Sequence, residues 1–309
     1  MTALLIRILL PLVLIVGVLG CGGRVSMAAL DARELFELGM EKYENRKQLD
    51  AIEAFQTVIF NFPGESMVDT AQYYLAMTYF DRHDYVLAKV EFNRLLLNYP
   101  ASSFAPQAQL MRAVCFYKGT PEHYGLDQTD LYTAIQQFND FLIDYPESDA
   151  TEDAQAYMVE ARSRLARKLF ESGIVYTRIA DYRAARVYFQ QVIDNYTDTD
   201  YAANATFEMA DTYFHSHDWD EAHERFENFR TVYPNHERAD EAARLSCEAV
   251  YKGGVEAYDA SDFTLARSRF ERYQIVCGQD EKENRKIDEY LQSMDDQPIG
   301  EVDTANAGS

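Results

Sequence analysis

Residues 74–100 read YLAMTYFDRHDYVLAKVEFNRLLLNYP, and residues 208–234 read EMADTYFHSHDWDEAHERFENFRTVYP. The two segments share an early alanine, a His-Asp-aromatic sequence, a second alanine and a final Tyr-Pro. Apolar and aromatic residues recur at helical spacing on both sides of the His-Asp pair. Each segment is therefore predicted to form two antiparallel helices, A and B, of which the second ends at the proline.

The second alanine of this pattern recurs along the chain and marks six repeats. It stands at Ala51, Ala88, Ala134, Ala185, Ala222 and Ala266. Small residues at such places let two helices lie close together, and the aromatic residues fill the space between hairpins. This is the tetratricopeptide pattern, so the sequence predicts an all-α fold, a tetratricopeptide-repeat solenoid of about six helical hairpins.

In the middle of the chain, two consecutive intervals are longer than the regular 37 residues and predict irregular structure there. Between the second and third markers, glycines and a proline within Gly119–Thr129 indicate a loop inside the third hairpin. Between the third and fourth, the excess is close to four helical turns, so helix A of repeat four is predicted to extend from Thr151 to Ile179. We expect an N-terminal half at 31–148, with repeats one to three, and a C-terminal half at 149–278, with repeats four to six.

Aspartates before the B helices are predicted to act as N-caps, each stabilising its helix by about 1 kcal/mol. They are Asp84, Asp130, Asp181, Asp218 and Asp262.

The N-terminus resembles a bacterial lipoprotein signal. Arg7 precedes an apolar run that is too short for a membrane-spanning helix, and the run ends at Leu19-Gly20-Cys21. We expect residues 1–20 to be removed, Cys21 to carry a lipid and residues 21–30 to form a linker. The alternative is an ordinary signal peptide with an incidental cysteine.

At the C-terminal end, residues 279–309 are predicted to form a short charged helix and an acidic disordered tail.

The net charge of -22 excludes nucleic acid as a partner, because binding it requires a basic face. It also argues against electrostatic attraction to a membrane surface. No phosphate-binding loop, nucleophile elbow or paired zinc motif is present, so we expect no catalytic residue, no metal and no cofactor apart from the lipid. His215, His217 and His223 suggest a metal site, but His217 occupies the same turn as His83, which favours a surface turn.

The cysteines after Cys21 allow two interpretations. Cys247 and Cys277 lie at the start of helix A and the end of helix B in the last hairpin, where a disulfide is geometrically plausible; two buried reduced thiols are the alternative. Cys115 is predicted to be a core residue.

Helix A residues of such repeats usually line a groove that holds peptides. Here these positions are apolar and aromatic, which suits a peptide with hydrophobic side chains. They are Phe36, Met40, Tyr43, Tyr73, Met77, Phe80, Leu110, Val114 and Tyr117. The alternative is that these side chains pack onto the next hairpin.

Several irregularities together resemble the BamD family of tetratricopeptide lipoproteins. They are the cysteine after the signal, the insertion Leu126–Thr129, the run Tyr145–Ala154 and the segment Arg162–Ala166 before repeat four. The resemblance covers about residues 21–235. A sixth repeat and the acidic tail depart from the family's five repeats.

The resemblance implies a lipid-anchored scaffold on the periplasmic face of the outer membrane. As partners it implies the periplasmic domains of a BamA-like β-barrel subunit, bound by the C-terminal half, and the C-terminal signals of unfolded outer-membrane proteins, bound by the N-terminal half. A second hypothesis is a periplasmic coordinator resembling CpoB, which links envelope constriction to peptidoglycan synthesis. The lipid-bearing cysteine counts against it.

Overall fold

The computed structural model describes residues 29–278 and 281–296, and these residues form thirteen α-helices and no strand. Residues 1–20, Cys21 and the tail after Asp296 lie outside the described residues. The helices are α1 Ala32–Glu44, α2 Gln48–Asn61, α3 Val68–Asp81, α4 Tyr85–Asn98, α5 Ala105–Gly119, α6 Thr129–Asp144, α7 Thr151–Arg178, α8 Tyr182–Asn195, α9 Asp200–His215, α10 Trp219–Val232, α11 Ala239–Asp259, α12 Phe263–Val276 and α13 Glu281–Asp295.

The predicted tetratricopeptide-repeat fold is confirmed, with α1 to α12 forming six pairs of A and B helices. The long helix is also present: α7 has 28 residues, begins at Thr151 and ends one residue before the predicted Ile179. All six marker alanines have no exposed surface. Each B helix therefore carries a small, fully buried residue where its partner approaches most closely.

Glycines on three A helices permit the same close approach from the other side. A Cβ atom added to Gly39, Gly173 or Gly254 would lie 2.5–2.6 Å from a phenylalanine ring of the paired B helix. The ring opposite Gly173 belongs to Phe189, which is fully buried. These hairpins consequently have no room for a side chain at the crossing point.

Five of the six turns between helices A and B have the same backbone conformation. In each of them the residue two positions before helix B has a positive φ of 56–64°, in the left-handed region that non-glycine residues seldom adopt. These residues are Arg46, His83, Ala180, His217 and Ser261. In the third hairpin the insertion replaces this turn.

The prediction of five aspartate N-caps is only partly right. Asp181 and Asp262 accept hydrogen bonds from the backbone N–H groups of Ala184 and Leu265, as expected. Asp84 and Asp218 occupy the N-cap position, but their carboxylates make no capping bond; Arg82 donates to Asp84 instead, at 3.0 Å.

The prediction for Asp130 is wrong because α6 begins one residue earlier, at Thr129. The carboxylate that bonds this helix start is Asp127, which accepts from the backbone N–H of Thr129 at 2.9 Å and from its hydroxyl at 2.6 Å. The insertion shifts the start of the helix, which spacing alone does not reveal.

The described chain divides into two compact units. The first comprises residues up to Gly119 together with Gln136–Ala154, and the second comprises Thr120–Ile135 and the residues from Gln155 onward. In the first unit, Leu35, Phe55 and Leu75 belong to one buried cluster, and Phe92 belongs to a second. Cys115 lies in the second cluster, as predicted, and burial raises the pKa of its thiol to about 12.

Two arginines of α7 bind irregular segments within the second unit. Arg162 donates to the carboxylate of Asp198 at 2.6 Å and to the carbonyl of Asn195 at 2.7 Å. Arg164 donates to the carbonyl oxygens of Thr120 and Pro121 in the insertion. The added length of α7 and the added loop of repeat three are thus joined by hydrogen bonds.

The last helix covers the end of the second unit. Ile287 and Met294 of α13 are buried in one cluster with Phe270, and the ring of Tyr290 stacks on that of Phe270 at 5.1 Å. In the same cluster Cys247 and Cys277 form a disulfide, with their Cα atoms 5.7 Å apart. The disulfide closes the last hairpin at its open end.

We expect Gly173→Val to destabilise the fold. The valine would need the space that Phe189 occupies, and overpacking of this kind costs about 1–3 kcal/mol. The measurement is the free energy of unfolding in urea. Gly64→Val is the matched control, because nothing lies within 4 Å of the Cβ position at Gly64. Equal losses in both variants would contradict the account of the helix crossing.

We also expect Cys247→Ser combined with Cys277→Ser to lower the free energy of unfolding by roughly 3 kcal/mol. The cross-link joins residues 30 apart, and its loss restores that loop's freedom in the unfolded chain. Urea melts with and without dithiothreitol measure the effect. The reductant should lower the free energy of unfolding of the parent protein and leave that of the double variant unchanged. If the parent protein is equally stable with and without the reductant, the cross-link does not support the fold.

Candidate peptide-binding face

Six of the side chains predicted to line a groove come from the A helices of the first two hairpins, and all six are half-buried. They are Phe36, Met40 and Tyr43 on α1 and Tyr73, Met77 and Phe80 on α3. We call these six residues the aromatic face. Each packs at the edge of a buried cluster of the first unit while keeping part of its surface exposed. These side chains therefore pack within the fold and also present surface to solvent, and their binding of a peptide stays a prediction.

Ring contacts connect the aromatic face to its surroundings. Tyr73 stacks on Phe104 with ring centroids 4.6 Å apart, and Tyr74 meets the edges of Tyr43 and Tyr73 at 5.5 Å each. Phe80 meets Tyr85 at 5.4 Å. Since these rings hold one another, the face is an ordered surface.

The polar atoms of the face are also engaged. The hydroxyl of Tyr43 bonds to Asp81, and burial followed by this bond raises the pKa of Tyr43 well above its usual range. Burial likewise raises the pKa of Tyr73, with further contributions from Tyr74 and Asp81. Both hydroxyls are neutral at physiological pH, so the face offers apolar rings and methionine thioethers, and the exposed carboxylate of Asp81 lies at its edge.

The third A helix contributes less than the sequence predicts. Leu110 and Val114 are only 7% and 1% exposed, so they have almost no surface to offer a peptide. Their place in the groove is corrected to the core, because α5 packs against the second hairpin. Tyr117 is half-buried, and the ammonium of Lys118 lies 5.2 Å from its ring centroid.

Three residues of this region were missed by sequence reasoning: Tyr74, Asp81 and Phe104. Tyr74 follows Tyr73 directly, and the position rule assigned only one of the pair to the groove. Phe104 lies before α5, outside any repeat position, and Asp81 ends α3. The tyrosine pair is the one signal in the sequence that could have indicated a larger aromatic cluster.

A polar cavity of about 520 Å³ lies between α10 and α12 in the second unit. His223 in its wall is bonded through Nδ1 to the hydroxyl of Ser246 at 2.7 Å, and that hydroxyl donates to Glu227 at 2.7 Å. Burial, followed by the charge of Arg272, lowers the pKa of His223. The cavity mixes two arginines with carboxylates: its walls are Asp220, His223, Glu224, Glu227, Leu265, Ser268, Arg269 and Arg272.

The histidines considered as metal ligands do not converge on one point. His217 stacks on Trp219 at 4.9 Å, His215 lies 3.3 Å from the carboxylate of Asp211, and His223 bonds to Ser246. Within residues 29–278 and 281–296, no three side chains of histidine, cysteine, aspartate or glutamate are placed to hold a metal ion. None of the described helices has the length and hydropathy needed to cross a membrane.

The sequence of the chain matches one family model and a known relative. The family model YfiO, described as outer membrane lipoprotein, matches residues 28–214. The outer membrane protein assembly factor BamD of Rickettsia prowazekii (strain Madrid E) is 24% identical over 241 residues, which are 77% of this chain and 96% of that protein.

Two solved structures with tetratricopeptide repeats are also similar. The TPR domain of P58(IPK) is 15% identical with a TM-score of 0.37, over 86% of this chain and 66% of that one. The TPR2AB domain of yeast Sti1, solved in a pHSP90 complex, is 14% identical with a TM-score of 0.38, over 85% of this chain and 98% of that one.

We expect the second unit to lose stability as the pH falls below about 6.5, the ordinary pKa of histidine. The folded-state pKa of His223 is lowered, so the unfolded chain takes up the proton first, and the contribution present above the unfolded pKa is lost on acidification. Urea melts at pH 7.5 and 5.5 measure how much the free energy of unfolding falls on acidification, and this fall should be smaller for His223→Gln than for the parent. An equal fall in both would contradict the role of His223. His217→Gln changes an exposed histidine and is the control, which should behave as the parent does.

Proposed function

The chain belongs to the YfiO family of outer-membrane lipoproteins, and we propose that it is a non-catalytic assembly factor for outer-membrane proteins, held at the periplasmic face by a lipid on Cys21. The similarity to the Rickettsia assembly factor over 96% of that protein supports the role. The sequence Leu19-Gly20-Cys21 after an apolar run supports the anchor.

The aromatic face is the observation that supports binding of a substrate by this protein. We propose that it binds the aromatic-ended C-terminal segments of unfolded outer-membrane proteins. Half-buried rings lose little side-chain entropy when a peptide covers them, since their neighbours already hold them. Met40 and Met77 add adaptable contacts that tolerate different peptide sequences. The exposed carboxylate of Asp81 at the edge favours a peptide with a basic residue beside its apolar ones.

The second unit is the proposed contact for the periplasmic domains of a BamA-like barrel subunit. Its surface around the polar cavity carries Arg269 and Arg272 beside several carboxylates, which suits a partner with charges of both signs. The YfiO family match ends at residue 214 and does not include this cavity, so the charges of its walls are the support for this contact. Affinity purification of the lipidated chain in mild detergent tests the partner: recovery of a large outer-membrane barrel protein supports the proposal, and recovery of peptidoglycan-synthesis proteins instead contradicts it.

We expect Met77→Glu combined with Phe80→Glu to weaken binding of a fluorescent, aromatic-ended peptide by roughly tenfold or more, because a bound apolar side chain would then meet two carboxylates. Fluorescence anisotropy measures the affinity. Leu97→Glu is the matched control: it adds a carboxylate to the same hairpin, at a residue 72% exposed on helix B. Circular dichroism verifies that both variants fold. Unchanged affinity of the double variant, or equal weakening by the control, would reject the aromatic face as the site.

A further inference from the structure

The B helices of the first unit expose large apolar side chains at repeated positions. These side chains lie two residues before or nine residues after a buried marker alanine. They are Leu49 at 69% exposure, Phe60 at 71%, Val86 at 70%, Leu97 at 72% and Ile143 at 68%. We call these five residues the outer stripe.

The helical period explains why the outer stripe faces away from the fold. At about 100° per residue, positions two before and nine after the alanine lie about 160–180° around the helix from it. The alanine packs against helix A, so the stripe points in the opposite direction. Single exposed apolar residues are normal on a protein surface, but the recurrence at equivalent positions in consecutive hairpins is not random scatter.

The fourth and fifth hairpins, in the second unit, lack this pattern. Their residues at the same positions are Arg183, Asp194, Asp220 and Thr231. Tetratricopeptide packing therefore does not require apolar residues there. Within the second unit, these positions are apolar and exposed only at Tyr132 of the third hairpin, at 58% exposure, and at Ile275 of the sixth, at 84%, where the paired position is the polar Thr264.

The position of Cys21 indicates what covers the stripe. Cys21 lies ten residues before Asp31, the N-cap of α1, and a chain of that length spans at most about 35 Å. A lipid on Cys21 would hold the first hairpin within this distance of the bilayer. Such a tether makes a second contact with the same bilayer intramolecular, so weak apolar contacts become sufficient.

We propose that the outer stripe docks the first unit onto the lipid surface that holds Cys21, with its apolar side chains at the boundary between headgroups and acyl chains. This inference rests on the lipid anchor included in the proposed function. The contact is apolar, so the chain's net charge of -22 does not oppose it at a zwitterionic surface. Lys47, next to the stripe, is exposed and can reach lipid phosphates from the helix end.

Tryptophan scanning of the full mature lipidated chain in phosphatidylethanolamine–phosphatidylcholine vesicles tests the proposal. The single tryptophan of the chain, Trp219, is only 7% exposed and gives a constant background. The fluorescence emission of the tryptophan introduced by Phe60→Trp or Leu97→Trp should shift to shorter wavelength in the presence of vesicles. Brominated acyl chains should quench it at least about twofold more than they quench the tryptophan of Thr231→Trp. Thr231 is the matched control, since it is exposed at the equivalent position of the fifth hairpin.

The remaining outcomes separate the stripe from the anchor. If the lipidated chain floats with vesicles and Cys21→Ser does not, the anchor is established; equal quenching of stripe and control would then overturn the docking proposal alone. If the lipidated chain does not float, both the anchor and the docking proposal are wrong.

Sedimentation of Cys21→Ser tests whether a second copy of the chain covers the outer stripe instead. A dimer that Leu97→Glu converts to a monomer would show that the stripe joins two copies, which also overturns lipid docking. Peptide affinity, measured separately, reports on the aromatic face.

Discussion

The close approach of the two helices in each hairpin is the constraint on which the rest of the structure depends. Two helices can pack this closely only where one offers a small residue and the other a ring or a second small residue. The fully buried Ala88 and the contact between Gly173 and Phe189 are two instances. Once the crossing is fixed, the rotation of each helix is fixed too. The same constraint thus determines which side chains form the aromatic face and which form the outer stripe.

In the irregular middle of the chain, hydrogen bonds from arginine side chains add to the apolar packing. Arg164 donates to carbonyl groups of the insertion, and Arg162 fastens the segment after α8 through Asp198. An inserted loop exposes backbone carbonyls that need partners, and a guanidinium can serve several at once. Arg164, in one of the segments that carried the family resemblance, therefore holds the insertion in place.

The fold was predictable from the sequence to within a residue at the ends of the long helix, because the repeat period and the small residues are strong local signals. The candidate site was predictable only in part. A position rule places a residue on a helix face, but the burial of Leu110 depends on how closely α5 packs against the second hairpin, which the rule does not contain. Asp130 failed as a cap for a related reason, since an inserted loop shifts the start of a helix by a residue. The disulfide stood between two alternatives because pairing depends on distance, which spacing along the chain does not give.

The packing of α13 against the last hairpin sets the length of the array. A stack of identical hairpins is in principle open-ended, because each hairpin offers its neighbour the same apolar side, and a second molecule could continue the stack. With Ile287 and Met294 buried on that side, the surface presented next is the charged side of a single helix. Growth by end-to-end addition is blocked at this terminus. Within the described residues, this end of the fold therefore presents charged side chains in place of an open hairpin side.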